Sequence, residues 1–103
     1  MNAREAVRVG SVAELRKGKP LGVNVAGHDI AVFEVAGEIV ATAGKCLHAG
    51  GPLCQGSLEA AILTCPWHGW SYDLKTGICE EDPALVLPRY AVTVQGDDIL
   101  VVL

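Results

Sequence analysis

The chain has 103 residues, a formal net charge of −4, and a composition of 50% hydrophobic and 19% charged residues. This length accommodates one domain with a modest core, and the composition is typical of a globular protein rather than a disordered one. The mild acidity of the sequence, which has no basic stripe along its length, argues against binding to nucleic acid.

No stretch of the sequence has the length of a membrane anchor or the composition of an export signal. Apolar runs such as 84–87 and 99–103 are far shorter than the ~20 residues that span a bilayer, and residues 1–5 open no apolar segment. Four cysteines, two of them in the metal motif described below, suit a reducing compartment better than a disulfide scaffold. We therefore expect a cytoplasmic protein with no membrane association.

Short β-strands and turns are predicted along most of the chain. Residue patterns indicate strands at 6–9, 21–25, 30–35, 39–42, 61–64, 70–73, 90–94 and 99–103. Ser11 is predicted to cap a single helical turn at 12–15. Turns are predicted at 27–29, 36–38, 56–60, 74–77 and 95–98, and segment 80–88 has no clear period. The sequence therefore predicts an all-β fold.

Cysteine and histidine occur in two pairs with the spacing of metal ligands. Cys46 and His48 form a Cys-x-His pair, and after sixteen intervening residues Cys65 and His68 form a Cys-x-x-His pair. Thiolate and imidazole are common ligands of zinc and of iron, so a structural zinc site remains open on spacing alone. Each pair lies in a loop that contains glycine and proline. Two such loops suit a site that encloses a cluster wider than one ion. One cysteine and one histidine per loop also supply the ligands of a Rieske centre.

The remaining cysteines and histidine fall outside these pairs. Cys54 and Cys79 have no partner at ligand spacing, so we interpret them as thiols without a metal, in preference to a disulfide. His28 lies at a predicted hairpin tip, where a solvated turn residue is the favoured interpretation.

At the paired residues the sequence closely resembles the Rieske-type family, whose motif is Cys-x-His, a spacer of about this length, then Cys-Pro-x-His-Gly. The resemblance extends beyond the ligands through Gly51-Pro52-Leu53, the whole of 65–70, Tyr72-Asp73 and Thr76-Gly77. Among Rieske proteins the chain is most similar to the small ferredoxins that supply electrons to multicomponent ring-hydroxylating oxygenases.

The resemblance implies one [2Fe-2S] cluster per chain, with Cys46, His48, Cys65 and His68 as its ligands. It also implies a single Rieske domain over residues 1–103. The antiparallel β-sandwich base would comprise 1–44 and 86–103, and the cluster-binding insertion would comprise 45–85. Segment 80–88 would then be a third loop that covers the cluster from one side.

The same resemblance points to residues that tune the reduction potential. High-potential relatives have a serine that donates a hydrogen bond to a bridging sulfide where this chain has Trp70. They also have a disulfide between the ligand loops, at the positions of Gly51 and Trp67. Tyr72 falls where those relatives have a tyrosine that donates to a ligand sulfur. We therefore expect a potential that is low for the class.

An apolar rim around the ligand edges is the expected docking surface for redox partners. Its candidate residues are Leu47, Pro52, Trp67 and Pro83. Local packing is the alternative interpretation for each of them, because an aromatic ring beside a cluster also shields it from water.

The function implied by the resemblance is that of a soluble one-electron carrier between a flavin or iron–sulfur reductase and a terminal oxygenase. Such a carrier is not itself an enzyme, and we expect it to be a monomer. A mononuclear iron site would need two histidines and a carboxylate, whereas only one histidine is left. Two alternatives stay open: the small Rieske-like subunit of an assimilatory nitrite reductase, and a structural zinc-binding interaction module. The substrate of the partner enzyme leaves no trace in this sequence.

Overall fold

A computed structural model describes residues 6–17, 20–47, 50–67 and 69–103. Their regular secondary structure is almost entirely β-strand, which confirms the predicted all-β class. The strands are β1 Ala6–Ser11, β2 Leu21–Val25, β3 His28–Val35, β4 Glu38–Ala43, β5 Ser57–Glu59, β6 Ile62–Thr64, β7 Ser71–Asp73, β8 Arg89–Gln95 and β9 Asp98–Val102, with a helical turn α1 at Val12–Leu15 and a short 3-10 helix at Leu53–Gln55.

Six strands form the base of the molecule as one antiparallel sheet. Their order is β1-β9-β8-β4-β3-β2, and the two edge strands β1 and β2 come into contact with each other. The sheet therefore curls around an apolar interior. The buried residues of this base core are Val9, Leu15, Ile30, Val32, Ala41, Ile99 and Val101. The predicted sandwich-like base thus consists of a single curled sheet.

Strand β3 joins the base to the cluster-binding region because both of its faces are buried. Ile30 and Val32 belong to the base core, whereas Ala31 and Phe33, on the opposite face, belong to a second core. The other buried residues of this second core are Val35, Cys46, Leu53, Leu63, Cys65, Tyr72, Leu74, Cys79 and Leu87. Two of the predicted ligand cysteines are therefore core residues.

The second core is covered by a small antiparallel sheet of β5, β6 and β7. Leu63 pairs with Tyr72 across β6 and β7, and both side chains are fully buried. The chain then returns to the base through a bridge between Ile78 and Val86 and a 2.7 Å hydrogen bond from Leu87 N–H to Gly77 O. The ligand loops are therefore supported by the packed side chains of the second core, which lies between the two sheets.

Two local predictions were wrong. Residues 57–59 were predicted as part of a turn, but they form β5, where Leu58 pairs with Leu63 of β6. The tip of the β2–β3 hairpin is Ala26–Gly27, so that His28 begins β3 opposite Val25. Ala26 and Gly27 have φ angles of 51° and 84°, as a two-residue turn of type I′ requires.

The helical turn α1 begins where the sequence predicts. The Ser11 hydroxyl accepts a hydrogen bond from Glu14 N–H at 3.1 Å, and a Glu14 carboxylate oxygen accepts one from Ser11 N–H at 3.2 Å. This reciprocal capping box satisfies two backbone donors that a helix start leaves open. None of the described helices is long or apolar enough to cross a membrane.

Candidate metal centre

The first ligand loop follows β4 and carries Cys46. Cys46 N–H donates to Gly51 O at 2.9 Å, and Gly50 N–H donates to Cys46 O at 2.8 Å. The base of the loop is closed by Leu53 N–H, which donates to Gly44 O at 2.9 Å. Backbone hydrogen bonds within and at the base of the loop therefore hold Cys46 in place.

The second ligand loop begins at Cys65, directly after β6. Cys65 N–H donates to Trp70 O at 2.7 Å, which closes the loop. Gly69 lies within it at a φ of 73°, a left-handed conformation that glycine adopts without strain. The backbone N–H of Trp67 points at the Cys65 sulfur at 3.4 Å. The loop therefore presents a cysteine whose sulfur already accepts one hydrogen bond.

The thiols of Cys46 and Cys65 face each other in the second core. Burial raises the pKa of the Cys65 thiol, the N–H of Trp67 lowers it, and the neighbouring Cys46 thiol raises it further. Two buried thiols in contact are costly to ionise without a cation between them. Binding of a metal as two thiolates would therefore release protons.

Tyr72 supplies a second donor to the sulfur pair. Its hydroxyl oxygen lies 3.1 Å from Cys46 Sγ and accepts a hydrogen bond from Leu47 N–H at 3.0 Å. Burial raises the pKa of the Tyr72 phenol, and the bond to Cys46 raises it further. The phenol thus keeps its proton, and because its oxygen already accepts from Leu47, the proton is available to the sulfur.

This donor set fits two thiolates bound to iron. The sulfur of Cys65 accepts a hydrogen bond from Trp67 N–H, and the sulfur of Cys46 is hydrogen-bonded with the Tyr72 hydroxyl. Both cysteines are almost fully buried, at 3% and 2% exposure. In a Rieske centre two cysteines hold one iron and two histidines hold the other. His48 and His68 lie outside the described residues, so their role as ligands stays a proposal.

The other two cysteines lie apart from this pair. Cys54 is half-buried and Cys79 is fully buried, and both thiols are free, as the sequence analysis predicts. No group of three or more metal-binding side chains occurs within the described part of the chain. Among the described residues, neither Cys54 nor Cys79 is grouped with Cys46 and Cys65 as a set of metal-binding side chains.

Gly51 and Trp67 meet between the two ligand loops. A Cβ atom added to Gly51 would lie 2.9 Å from Cys65 Sγ and 2.9 Å from Trp67 Cγ. The two positions at which high-potential relatives are expected to carry a disulfide are therefore neighbours in this fold. In this chain the indole ring of Trp67 packs over a bare backbone instead.

The residues of the predicted docking rim differ in exposure. Leu47 and Trp67 are exposed, at 41% and 50%, although both are large and apolar. Pro83 is exposed as well, and Pro52 is half-buried. The role of these four residues in docking stays a proposal.

The third loop is attached to the second ligand loop at Ser71, through a residue that the sequence analysis missed. Glu80 N–H donates to Ser71 O at 2.8 Å, and the Glu81 carboxylate accepts from Ser71 N–H at 2.7 Å. Nothing in the sequence marks Glu81, because it stands in an irregular acidic segment and finds its partner only through the fold.

Comparison with known proteins identifies the family. The Rieske [2Fe-2S] domain model matches residues 5–101. The ferredoxin component of the naphthalene 1,2-dioxygenase system of Pseudomonas aeruginosa is 34% identical over 89 residues, covering 85% of this chain and 86% of that protein.

Two solved structures share the fold. The Sphingomonas yanoikuyae B1 ferredoxin superposes with a TM-score of 0.86 at 29% identity, covering 96% of this chain and 99% of that one. A chain in a complex of reduced oxygenase and oxidized ferredoxin in carbazole 1,9a-dioxygenase gives 0.84 at 26% identity, covering 94% of this chain and 92% of that one. With buried paired thiols, two hydrogen-bonded ligand loops and a family match over nearly its whole length, the chain belongs to the Rieske [2Fe-2S] domain family, and its cofactor is a Rieske-type [2Fe-2S] cluster.

Proposed function

We propose that this chain is a one-electron carrier that accepts an electron from a reductase and delivers it to a terminal oxygenase. The observation that carries the proposal is the match to a dioxygenase ferredoxin component over 85% of this chain and 86% of that protein. The two proteins therefore match over most of the length of both chains. The structural similarity to a chain from an oxygenase–ferredoxin complex supports an oxygenase as the partner.

The cluster ligands in this proposal are Cys46, His48, Cys65 and His68. The facing thiols of Cys46 and Cys65 support the first half of the set. The histidines follow from the motif, since each stands two or three residues after a ligand cysteine. When bound, the cluster supplies a single electron at a potential set by its surroundings.

The fold favours electron transfer because the ligand loops have little freedom to rearrange. Cys46 and Cys65 are anchored by backbone hydrogen bonds of 2.9 Å and 2.7 Å, and their side chains pack in a core shared with β3. Loops on a stiff scaffold hold a site in one geometry. The proposed exit for the electron lies at the rim formed by Leu47, Pro52, Trp67 and Pro83.

Catalysis belongs to the partner in this account. A terminal oxygenase of the same superfamily requires a mononuclear iron bound by two histidines and a carboxylate. Of the three histidines only His28 lies outside the Rieske motif, and its ring contacts Tyr90 in the base. In this proposal the chain is a component that serves an enzyme, and it acts as a monomer in the cytoplasm.

Isolation of the native partners tests this function. The tagged protein, loaded with its cluster, is recovered from its host, and the proteins bound to it are identified by mass spectrometry. We expect a reductase and a terminal oxygenase, and the recovered oxygenase should reoxidise the chemically reduced carrier in stopped-flow measurements. Recovery of a nitrite reductase, with transfer to it and none to an oxygenase, would support the small-subunit alternative instead.

A further inference from the structure

Glu81 contacts the second ligand loop through a single peptide group. Its Oε1 accepts a hydrogen bond of 2.7 Å from the backbone N–H of Ser71. The carbonyl of that same Trp70–Ser71 peptide accepts the N–H of Cys65, also at 2.7 Å. One peptide unit and two short hydrogen bonds therefore separate the carboxylate of Glu81 from the backbone of a ligand cysteine.

This contact replaces a strand bond at the outer edge of β7. Residues Cys79 and Glu80 run along that edge, through a bridge between Tyr72 and Cys79 and a 2.8 Å bond from Glu80 N–H to Ser71 O. The chain then turns away. In a continuing strand, a backbone carbonyl would accept the hydrogen bond from Ser71 N–H. Here the Glu81 carboxylate accepts it instead.

Hydrogen bonds on both sides fix the orientation of the Trp70–Ser71 peptide. The bond to Glu81 is charge-assisted, and such bonds are roughly twice as strong as bonds between neutral groups. Because consecutive hydrogen bonds polarise one another, a carboxylate on the N–H makes the carbonyl a better acceptor for Cys65 N–H. Loss of Glu81 should therefore loosen the closure of the second ligand loop.

The carboxylate also brings a negative charge close to the second loop. Its Oε1 lies 3.7 Å from the sulfur of Cys79, a fully buried residue of the same core as Cys65. Reduction of a [2Fe-2S] cluster adds one negative charge to it. Glu81 is exposed, so solvent screens its charge. A fixed negative charge on this side of the loop still opposes the addition and lowers the reduction potential.

We propose that Glu81 is a positioning residue for the cluster: through the Trp70–Ser71 peptide it holds the second ligand loop closed, and its charge lowers the reduction potential. The inference rests on the proposed ligation of the cluster by Cys65. It extends the role of the third loop from a cover over the cluster to a determinant of its potential.

The test compares Glu81→Gln, Glu81→Ala and Glu80→Gln in the cluster-loaded protein. Glutamine keeps an acceptor oxygen without the charge, whereas alanine removes both. Glu80 is the matched control, because it carries the same charge on the same loop and contacts Ser71 only through its backbone N–H. The readouts are the potential by voltammetry, the rate of iron loss to a chelator, and the visible spectrum.

For Glu81→Gln we expect a roughly three- to tenfold shift of the reduction equilibrium toward the reduced form, about 30–60 mV at 59 mV per tenfold. Glu80→Gln should shift it distinctly less. Iron loss should stay near the wild-type rate in Glu81→Gln and be several times faster in Glu81→Ala.

Equal shifts in Glu81→Gln and Glu80→Gln, or iron loss from Glu81→Ala at the wild-type rate, would overturn the proposal. Failure of the proposed function would give a different result. Wild-type protein without a [2Fe-2S] spectrum would contradict the presence of the cluster on which that function depends. Protein that carries the cluster but gives the results above would refute only the role of Glu81.

Discussion

The hydroxyl oxygen of Tyr72 lies 3.1 Å from the sulfur of Cys46. A residue on the strand that leaves the second ligand loop is thus hydrogen-bonded to the cysteine of the first loop. The contact joins the two loops across the sulfur pair, and it forms in a position where Tyr72 is fully buried. Because a hydrogen-bond donor stabilises a more negative sulfur, we expect donation by the Tyr72 hydroxyl to favour the reduced cluster.

Replacement of Tyr72 by phenylalanine should lower the reduction potential. A hydrogen bond to a charged group contributes ~1.5–3 kcal/mol, which bounds the fall at roughly 65–130 mV for a one-electron couple. Voltammetry measures it, with Tyr90→Phe in β8 as the control. A potential that is equal in Tyr72→Phe and Tyr90→Phe would show that the phenol does not tune the cluster.

Introduction of a hydroxyl group at position 70 should have the opposite effect. We expect a wild-type potential below zero, in the lower part of the roughly −150 to +300 mV range of Rieske centres. Trp70→Ser should raise it, whereas Trp70→Ala removes the same indole without adding a donor and serves as the control. A wild-type potential above about +150 mV would contradict the expectation, as would equal values for the two variants.

A methyl group at position 51 should disturb the site by crowding alone. The added Cβ would lie 2.9 Å from Cys65 Sγ and 2.9 Å from Trp67 Cγ, closer than side-chain carbons normally approach. Gly51→Ala should therefore bind less cluster and show altered Trp67 fluorescence. Gly22→Ala is the control, because its Cβ would crowd the sulfur of Cys54 instead, at 2.5 Å. If Gly51→Ala retains full cluster content, the close approach at Gly51 is not needed.

A charge at the predicted docking rim should slow electron transfer without changing the cluster. Leu47 is 41% exposed and directly follows Cys46. Leu47→Glu should reduce the rate of transfer to the oxygenase in stopped-flow experiments, because a desolvated charge at an apolar contact is costly, and the visible spectrum should stay the same. Val94→Glu is the matched control, at 46% exposure on β8 of the base. Equal rates for both variants would exclude Leu47 from the docking surface.

Local sequence signals predicted those parts of the fold that local interactions determine. The capping box of Ser11 and Glu14 lies within four residues, so the start of α1 was correct. Strand β5 was missed because Gly56-Ser57 has the composition of a turn, and only its pairing with β6 makes it a strand. The hairpin tip was misplaced because Ala26, not His28, takes the positive φ, which is uncommon for alanine.

At the metal centre, too, local sequence predicted some features, whereas others arise only from the tertiary structure. Spacing within the motif was enough to select Cys46 and Cys65, whose thiols meet in the structure. The family resemblance pointed to Tyr72 as a donor to a ligand sulfur, and in the structure its hydroxyl oxygen lies 3.1 Å from Cys46 Sγ. The bond from Ser71 to Glu81 could not be predicted, because it joins residues ten apart by a side chain in a segment without periodic pattern.

Metal and sulfide analysis of the purified protein tests the central claim most directly. We predict two irons and two acid-labile sulfides per chain in red-brown protein, with both lost in His48→Ala and His68→Ala. Both should be retained in Cys54→Ser and Cys79→Ser. Stoichiometric zinc in colourless protein made with ample iron would contradict the assignment of a Rieske cluster to Cys46, His48, Cys65 and His68.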